Sequence, residues 1–157
     1  MSPFCAYFNY YFCDMLSVTC KAAIKAVIFL GVEHPSGQRY SIGEIADRIG
    51  ENEHTVGKLL QKLVRAGIIC SAKGPNGGFY ITEAQREQPV IHVVEAIDGQ
   101  DMFTECGLGF HTCSERRPCP FHQDFKKVRE GFYALCRERK IAELDNSVIS
   151  GKAFLNG

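Results

Sequence analysis

The chain carries no excess charge of either sign: 18 Lys and Arg balance 18 Asp and Glu over 157 residues. That excludes the strongly basic composition which marks many nucleic-acid binders outright. It also lacks any apolar run long enough to span a bilayer. No Lys or Arg precedes Lys21, so the charged start of an export signal is missing. A cytoplasmic setting with no membrane partner is therefore expected, and the eight cysteines are read against it. In a reducing compartment, clustered thiols bind metal or sense redox state more often than they pair structurally. No phosphate-binding or nucleotide motif is present, and no third group completes a Cys–His nucleophile. A metal- or thiol-dependent enzyme is thus the least favoured class.

What the sequence does contain is a series of helix signals. Ser17 is placed to cap a helix from Val18 to Glu33, with Ala23, Ile24, Val27, Ile28 and Leu30 on a wide apolar face. His34–Gly37 ends it. Ser41 with Glu44 reads as a capping box opening a short helix to Ile49, which Gly50 breaks. A third helix runs from Asn52 to Ala66 with Val56, Leu59, Leu60, Leu63 and Val64 inward, and Gly67 is its expected C-cap. Ile68–Ser71 and Phe79–Ile81, joined by the glycine-rich turn Lys73–Gly78, form a β-hairpin. Helix, short helix, turn, helix, hairpin is the order of a winged helix-turn-helix. Val90–Asp98 adds a short helix closed by Gly99.

The expected fold is mainly α with a small β-hairpin, followed by a long C-terminal dimerisation helix. Residues 1–16 form an N-terminal extension outside the core, aromatic-rich and without periodicity, with Met15 as an alternative start. Residues 17–99 are the DNA-binding domain, 100–121 a Cys-rich loop, 122–145 the dimerisation helix and 146–157 a tail without signal. On that last helix Phe125, Val128, Phe132 and Leu135 recur at spacings of three and four, a seam for a partner helix.

In a helix-turn-helix the third helix enters the major groove. Its candidate contacts are Asn52, His54, Thr55, Lys58 and Gln61, with Lys73, Asn76 and Gly77 in the wing. Taken singly, each also suits an ordinary solvated surface. From Gly50 to Thr82 four basic residues face two acidic ones, a local bias that permits phosphate contact.

Cys106, Cys113 and Cys119 fall within fourteen residues, and His122 follows. Three thiolates and an imidazole satisfy an iron–sulfur cluster or a tetrahedral zinc ion. The absence of a Cys-x2-Cys knuckle leans towards the cluster. A metal-free loop, or one used as a thiol switch, stays open. Cys5, Cys13, Cys20, Cys70 and Cys136 read as incidental or buried small apolar residues.

Ser41–Ala46, Leu59–Gly67, Lys73–Phe79 and Val93–Gly99 resemble the BadM/Rrf2 family of bacterial regulators, over about Leu16–Leu144. The resemblance implies a homodimer on double-stranded DNA with a roughly palindromic operator. It implies a repressor-type regulator sensing redox, iron–sulfur or nitric oxide status through a 2Fe–2S cluster. Cys106, Cys113 and Cys119 would hold it, with His122 as fourth ligand and His111 a distant second. Three positions depart from the family pattern. Lys73 stands where Arg is usual, losing the planar fork that suits a narrow groove. Gly57 stands where a relative reads a base with Glu. Six residues, not five, separate the first two cysteines. The alternatives are a metal-free or zinc-bound winged-helix regulator or adaptor.

Overall fold

A computed structural model describes residues 15–155. The aromatic extension, with Cys5 and Cys13, lies largely outside the described residues. Helix α1 (Val18–Glu33) is capped by Ser17, whose hydroxyl accepts from the Cys20 N–H at 3.0 Å and donates to Asp98. The α1 residues Cys20, Ala22, Ala23, Ala26, Val27, Phe29, Leu30 and Gly31 are all buried. That is more than the single face expected, and it is the signature of a central helix covered on several sides. Helices α2 (Ile42–Ile49) and α3 (Glu53–Arg65) pack on it and on each other.

The local stops follow from chemistry. Ser41 and Glu44 form the reciprocal capping box, and Asn52 caps α3 through Oδ1 on the His54 N–H. Ala66 is the C-cap and Gly67 stands one residue beyond it, at φ 73°. Its N–H donates to Val64 O and that of Ile68 to Leu63 O, the paired bonds of a Schellman turn.

Strands β1 (Cys70–Ala72) and β2 (Gly78–Tyr80) pair antiparallel, with Ser71 opposite Phe79. The hairpin is tighter than expected at its base. Ile68, Ile69 and Ile81 are spent plugging the core, each at most 2% exposed, and so fall outside the ladder. Phe79 also exchanges two hydrogen bonds with Tyr40 across the other edge. Gly78, at φ 138°, passes so close that a Cβ would sit 2.8 Å from Tyr40 O, so only glycine fits.

A short helix α4 (Glu83–Arg86) follows, opened by a Thr82–Gln85 capping box, and then α5 (Ile91–Asp98). The expected helix over 122–145 is divided. Helix α6 (His122–Glu138) ends where Arg139 turns extended, and α7 (Ile141–Ile149) begins anew, reaching into the segment expected as tail. The cause is tertiary: Val90 N–H donates to Arg139 O and Ile141 N–H to Gln88 O, so the break pairs with the strand-like lead into α5. Helix α7 then packs along α1. Its Asp145 is fully buried, pairs twice with the Arg86 guanidinium at 2.7 and 2.8 Å, and lies against Gly31.

A second small cluster, Cys20, Ile91, Val94 and Cys136, joins α6 to α1 and α5, with Phe103 and Phe132 at its edge. The four-residue seam on α6 therefore divides. Phe132 stacks on Phe103, and Phe125 covers Gly107 and stacks on Phe121, both within this chain. Val128 and Leu135 stay exposed. Only Arg129 and Cys136 of α6 are buried.

Candidate nucleic-acid interface and metal centre

Two helices set the candidate DNA-facing surface. Ile42 of α2 rests against α3 at Gly57, where a Cβ would meet it in ordinary contact at 3.5 Å. Lys25 ties α1 to the turn between them, donating to Glu51 and to Ile49 O. His54, Lys58 and Gln61 are exposed along α3, and Thr55 is half-buried. Asn52 is exposed, but its side-chain oxygen is committed to the cap, leaving only its amide N–H groups free to act as donors. In the wing, Lys73 and Asn76 are exposed. Gly77 is a turn residue: a Cβ there would sit 2.3 Å from Ala72 O.

Arg39 was not among the expected contacts, because the basic count began at Gly50. It is exposed beside the wing, its guanidinium 5.2 Å over the Tyr80 ring, with Nη1 donating to Asn76 O at 3.4 Å. Its one sequence signal is a basic residue two places before the Ser41 cap.

The loop between α5 and α6 gathers the cysteines. The Sγ atoms of Cys106, Cys113 and Cys119 lie within 4.8 Å of one another, and those of Cys106 and Cys119 are 3.6 Å apart. Thiolates bound at about 2.3 Å to one tetrahedral ion are about 3.8 Å apart, so this spacing suits a coordination edge and is far too long for a disulfide. His122 begins α6 and brings Nδ1 to 3.1 Å from Cys113 Sγ. Its ring is 10% exposed, and the buried Nε2 has no hydrogen-bond partner. A convergent thiol triad beside a sequestered imidazole is a donor set that fits a thiophilic metal or cluster. His111 is exposed in a cleft of about 290 Å³ that also includes Cys106 and Cys113, and it does not join the group.

Backbone N–H groups of Phe110 and Leu108 hold the Cys106 thiol down to about 7, so it ionises readily. Cys113 is raised: the Cys119 N–H pulls it down, but desolvation and the neighbouring thiols outweigh this. Elsewhere, burial pushes the Cys20 thiol up to about 12 and raises Cys136, as suits inert packing residues. Cys70 is half-buried and donates to Gln85. The loop's approach to Cys106 is held by Arg129, a buried residue that sequence reasoning missed. Its Nη1 donates to the carbonyls of Thr104 and Glu105, and its guanidinium lies 5.4 Å over the Phe125 ring.

Among the described residues no helix is long and apolar enough to cross a membrane. The chain is 30% identical over 129 residues to an rrf2-like HTH-type transcriptional regulator of Rhodobacter capsulatus, covering 81% of this chain and 78% of that one. It is 22% identical over 122 residues to the HTH-type transcriptional repressor NsrR of Streptomyces coelicolor, covering 78% and 82%. Among solved structures it is similar in fold to CymR, the global cysteine regulator of B. subtilis (TM-score 0.66, 17% identity, 83% of this chain and 95% of that one). IscR of T. potens is similar to the same degree (TM-score 0.66, 18% identity, 88% and 90%). The Rrf2 family, described as "Iron-dependent Transcriptional regulator", matches residues 16–147. The winged helix-turn-helix and the cysteine-bearing loop both fall within that match, and the chain belongs to the Rrf2 family: it is a transcriptional regulator and not an enzyme.

Proposed function

We propose that the chain is a homodimeric, repressor-type regulator that binds a roughly palindromic operator and is controlled by an iron–sulfur cluster at Cys106, Cys113, Cys119 and His122. The observation that carries this is the convergence of three thiols with a sequestered imidazole in the loop leading into α6. The donors fall into two close pairs, Cys106 with Cys119 and Cys113 with His122. Such a division suits a two-iron cluster, which takes two ligands at each iron. A bound cluster supplies a centre whose charge changes on oxidation or loss. Zinc is the second reading, favoured by the compactness of the triad, all within 4.8 Å.

The protein's own part is to hold the loop and transmit its position. Arg129 pins Thr104 and Glu105, and His122 makes the loop continuous with α6. Helix α6 runs on to Cys136, which packs beside Cys20 at the start of α1. The partner subunit would cover Val128 and Leu135, the exposed members of the seam. On DNA, His54, Thr55, Lys58, Gln61 and the Asn52 amide face the major groove, while Lys73, Asn76 and Arg39 approach the backbone beside the wing. The setting is cytoplasmic.

Anaerobic purification with visible spectroscopy and iron, sulfide and zinc analysis tests the centre. A brown protein containing iron and sulfide supports the cluster, and a colourless protein with stoichiometric zinc overturns it. Binding to a fragment of its own promoter should weaken steeply with salt, and Cys113→Ala should alter both iron content and affinity. If Cys113→Ala changes neither, the loop is not the control site.

A further inference from the structure

We propose that Glu115 is the positioning carboxylate of His122, fixing the ring so that Nδ1 faces the thiols and tying the loop segment after Cys113 to the first turns of α6. This rests on the reading of Cys106, Cys113, Cys119 and His122 as a ligand set. His122 and Lys126 stand four residues apart on α6 and so share a face. Between them sits Glu115 from the loop. Its Oε1 is 2.5 Å from Lys126 Nζ and 3.5 Å from His122 Nε2, and its Oε2 accepts from Gln123 Nε2 at 3.5 Å.

Three physical points lead from that arrangement to the role. A neutral imidazole carries one proton, and the nitrogen nearer a carboxylate is the one that keeps it. With the proton on Nε2, the Nδ1 lone pair points at Cys113 Sγ, 3.1 Å away. Nε2 is buried and makes no hydrogen bond, so the Glu115 carboxylate is the group poised to satisfy it. The gap exceeds a hydrogen bond by about half an ångström, which an exposed glutamate side chain closes by a small rotation.

Glu115 is 60% exposed and Lys126 36%, so their ion pair adds little stability by itself. What it does is hold the carboxylate in register with the ring. Metal-ligating histidines generally donate their second N–H to such a carboxylate, which orients the ring and raises its basicity. In sequence, Glu115 lies only two residues after Cys113, so it looks like ordinary loop charge until α6 brings Lys126 alongside.

The test uses the full-length metal-free protein under anaerobic conditions, titrated with Co²⁺ and followed by thiolate-to-cobalt absorption. Glu115→Ala is expected to weaken Co²⁺ binding about tenfold to a hundredfold, and Glu115→Gln less, since its amide oxygen still accepts. In a His122→Ala background Glu115→Ala is expected to cost nothing more, because its target is gone. An equal cost in both backgrounds overturns the proposal. So does a Lys126→Met variant that reproduces the full loss with the His122 tautomer unchanged, which would make Glu115 a tether only. ¹⁵N shifts of His122 in the metal-free protein read the tautomer directly: Nε2–H in the wild type, lost in Glu115→Ala. A wild type that binds neither Co²⁺ nor iron would sink the ligand-set reading, and the tautomer would still decide the role of Glu115.

Discussion

Replacing Arg86 by Met probes the buried bridge between the end of the wing and the last helix. Asp145 is fully buried and Arg86 is 7% exposed. The guanidinium donates from Nε and Nη2 to the two carboxylate oxygens at 2.8 and 2.7 Å, and Nη2 also reaches Asn146 Oδ1 at 3.3 Å. Gly31 closes the other side so tightly that a Cβ there would sit 2.1 Å from Oδ2. The carboxylate therefore has no route to water. Arg86→Met keeps much of the aliphatic volume and removes the partner, leaving an uncompensated buried charge, at a cost of about 3–5 kcal/mol. Against a total stability of about 5–15 kcal/mol, that is a large fraction. With a urea slope of about 2 kcal/mol/M, the midpoint should fall by about 1.5–2.5 M. The measurement is equilibrium urea unfolding at one fixed protein concentration, since the apparent stability of the proposed dimer would depend on concentration. The double variant Arg86→Met/Asp145→Asn, which leaves no buried charge, should recover part of the loss. A single variant costing under about 1 kcal/mol, or a double variant no better than the single, would refute the reasoning.

Two further predictions concern the reading head. Glu44 titrates below the ordinary glutamate value, held there first by the Ser41 N–H and then by the Ser41 hydroxyl. A depressed folded value means the capping box stabilises the protein above the unfolded value, and that this contribution disappears as pH falls through the lower folded one. Carboxyl NMR titration should show the low value, and Ser41→Ala should move it upwards; an unchanged Glu44 titration in that variant would contradict the assignment. Gly57→Ala places a methyl in ordinary contact with Ile42 inside α3, so helix propensity decides the sign. It should stabilise by about 1 kcal/mol and raise Tm by about 3 °C in a calorimetric scan. A lower Tm would show that the α2–α3 crossing has no room there.

What was legible in the sequence was local. Ser17, the Ser41–Glu44 box and Gly67 each act within three or four residues of themselves, so their identity announces a helix end. The same signal stood at Thr82 and Gln85 but opened a helix of only four residues with no apolar repeat to point to it. The division between α6 and α7 carries no glycine or proline; it exists because Gln88–Val90 pairs with Arg139–Ile141, an interaction across some fifty residues. Arg86, Arg129 and Asp145 look like surface charges in sequence, and burial is revealed only by what packs around them. The cysteine spacing singled out the residues that converge, whereas Glu115 gains meaning only once α6 sets His122 and Lys126 on either side of its carboxylate.

The break after Glu138 also bears on how the proposed control loop would communicate with the DNA-binding unit. Seventeen helical residues make α6 a rod of about 26 Å. One end is His122, in contact with Cys113; the other packs Cys136 against Cys20, Ile91 and Val94. Immediately past that end, the Arg139–Ile141 pairing anchors the chain to the lead into α5, while α7 packs on α1 and is tied to α4 by the Arg86–Asp145 pair. Held at its C-terminal end and exposed along Val128 and Leu135, such a rod would be expected to answer a displaced N-terminus by pivoting about the Cys136 cluster. In a dimer built on that exposed stripe, the same pivot changes the angle between two α6 helices and thus the separation of two α3 helices. With the rod continuous to residue 145, as the sequence suggested, the pairing of Arg139–Ile141 with Gln88–Val90 would be missing. If the cysteine loop controls DNA binding as proposed, the break at Arg139 and Lys140 would fix the end of the rod about which that motion turns.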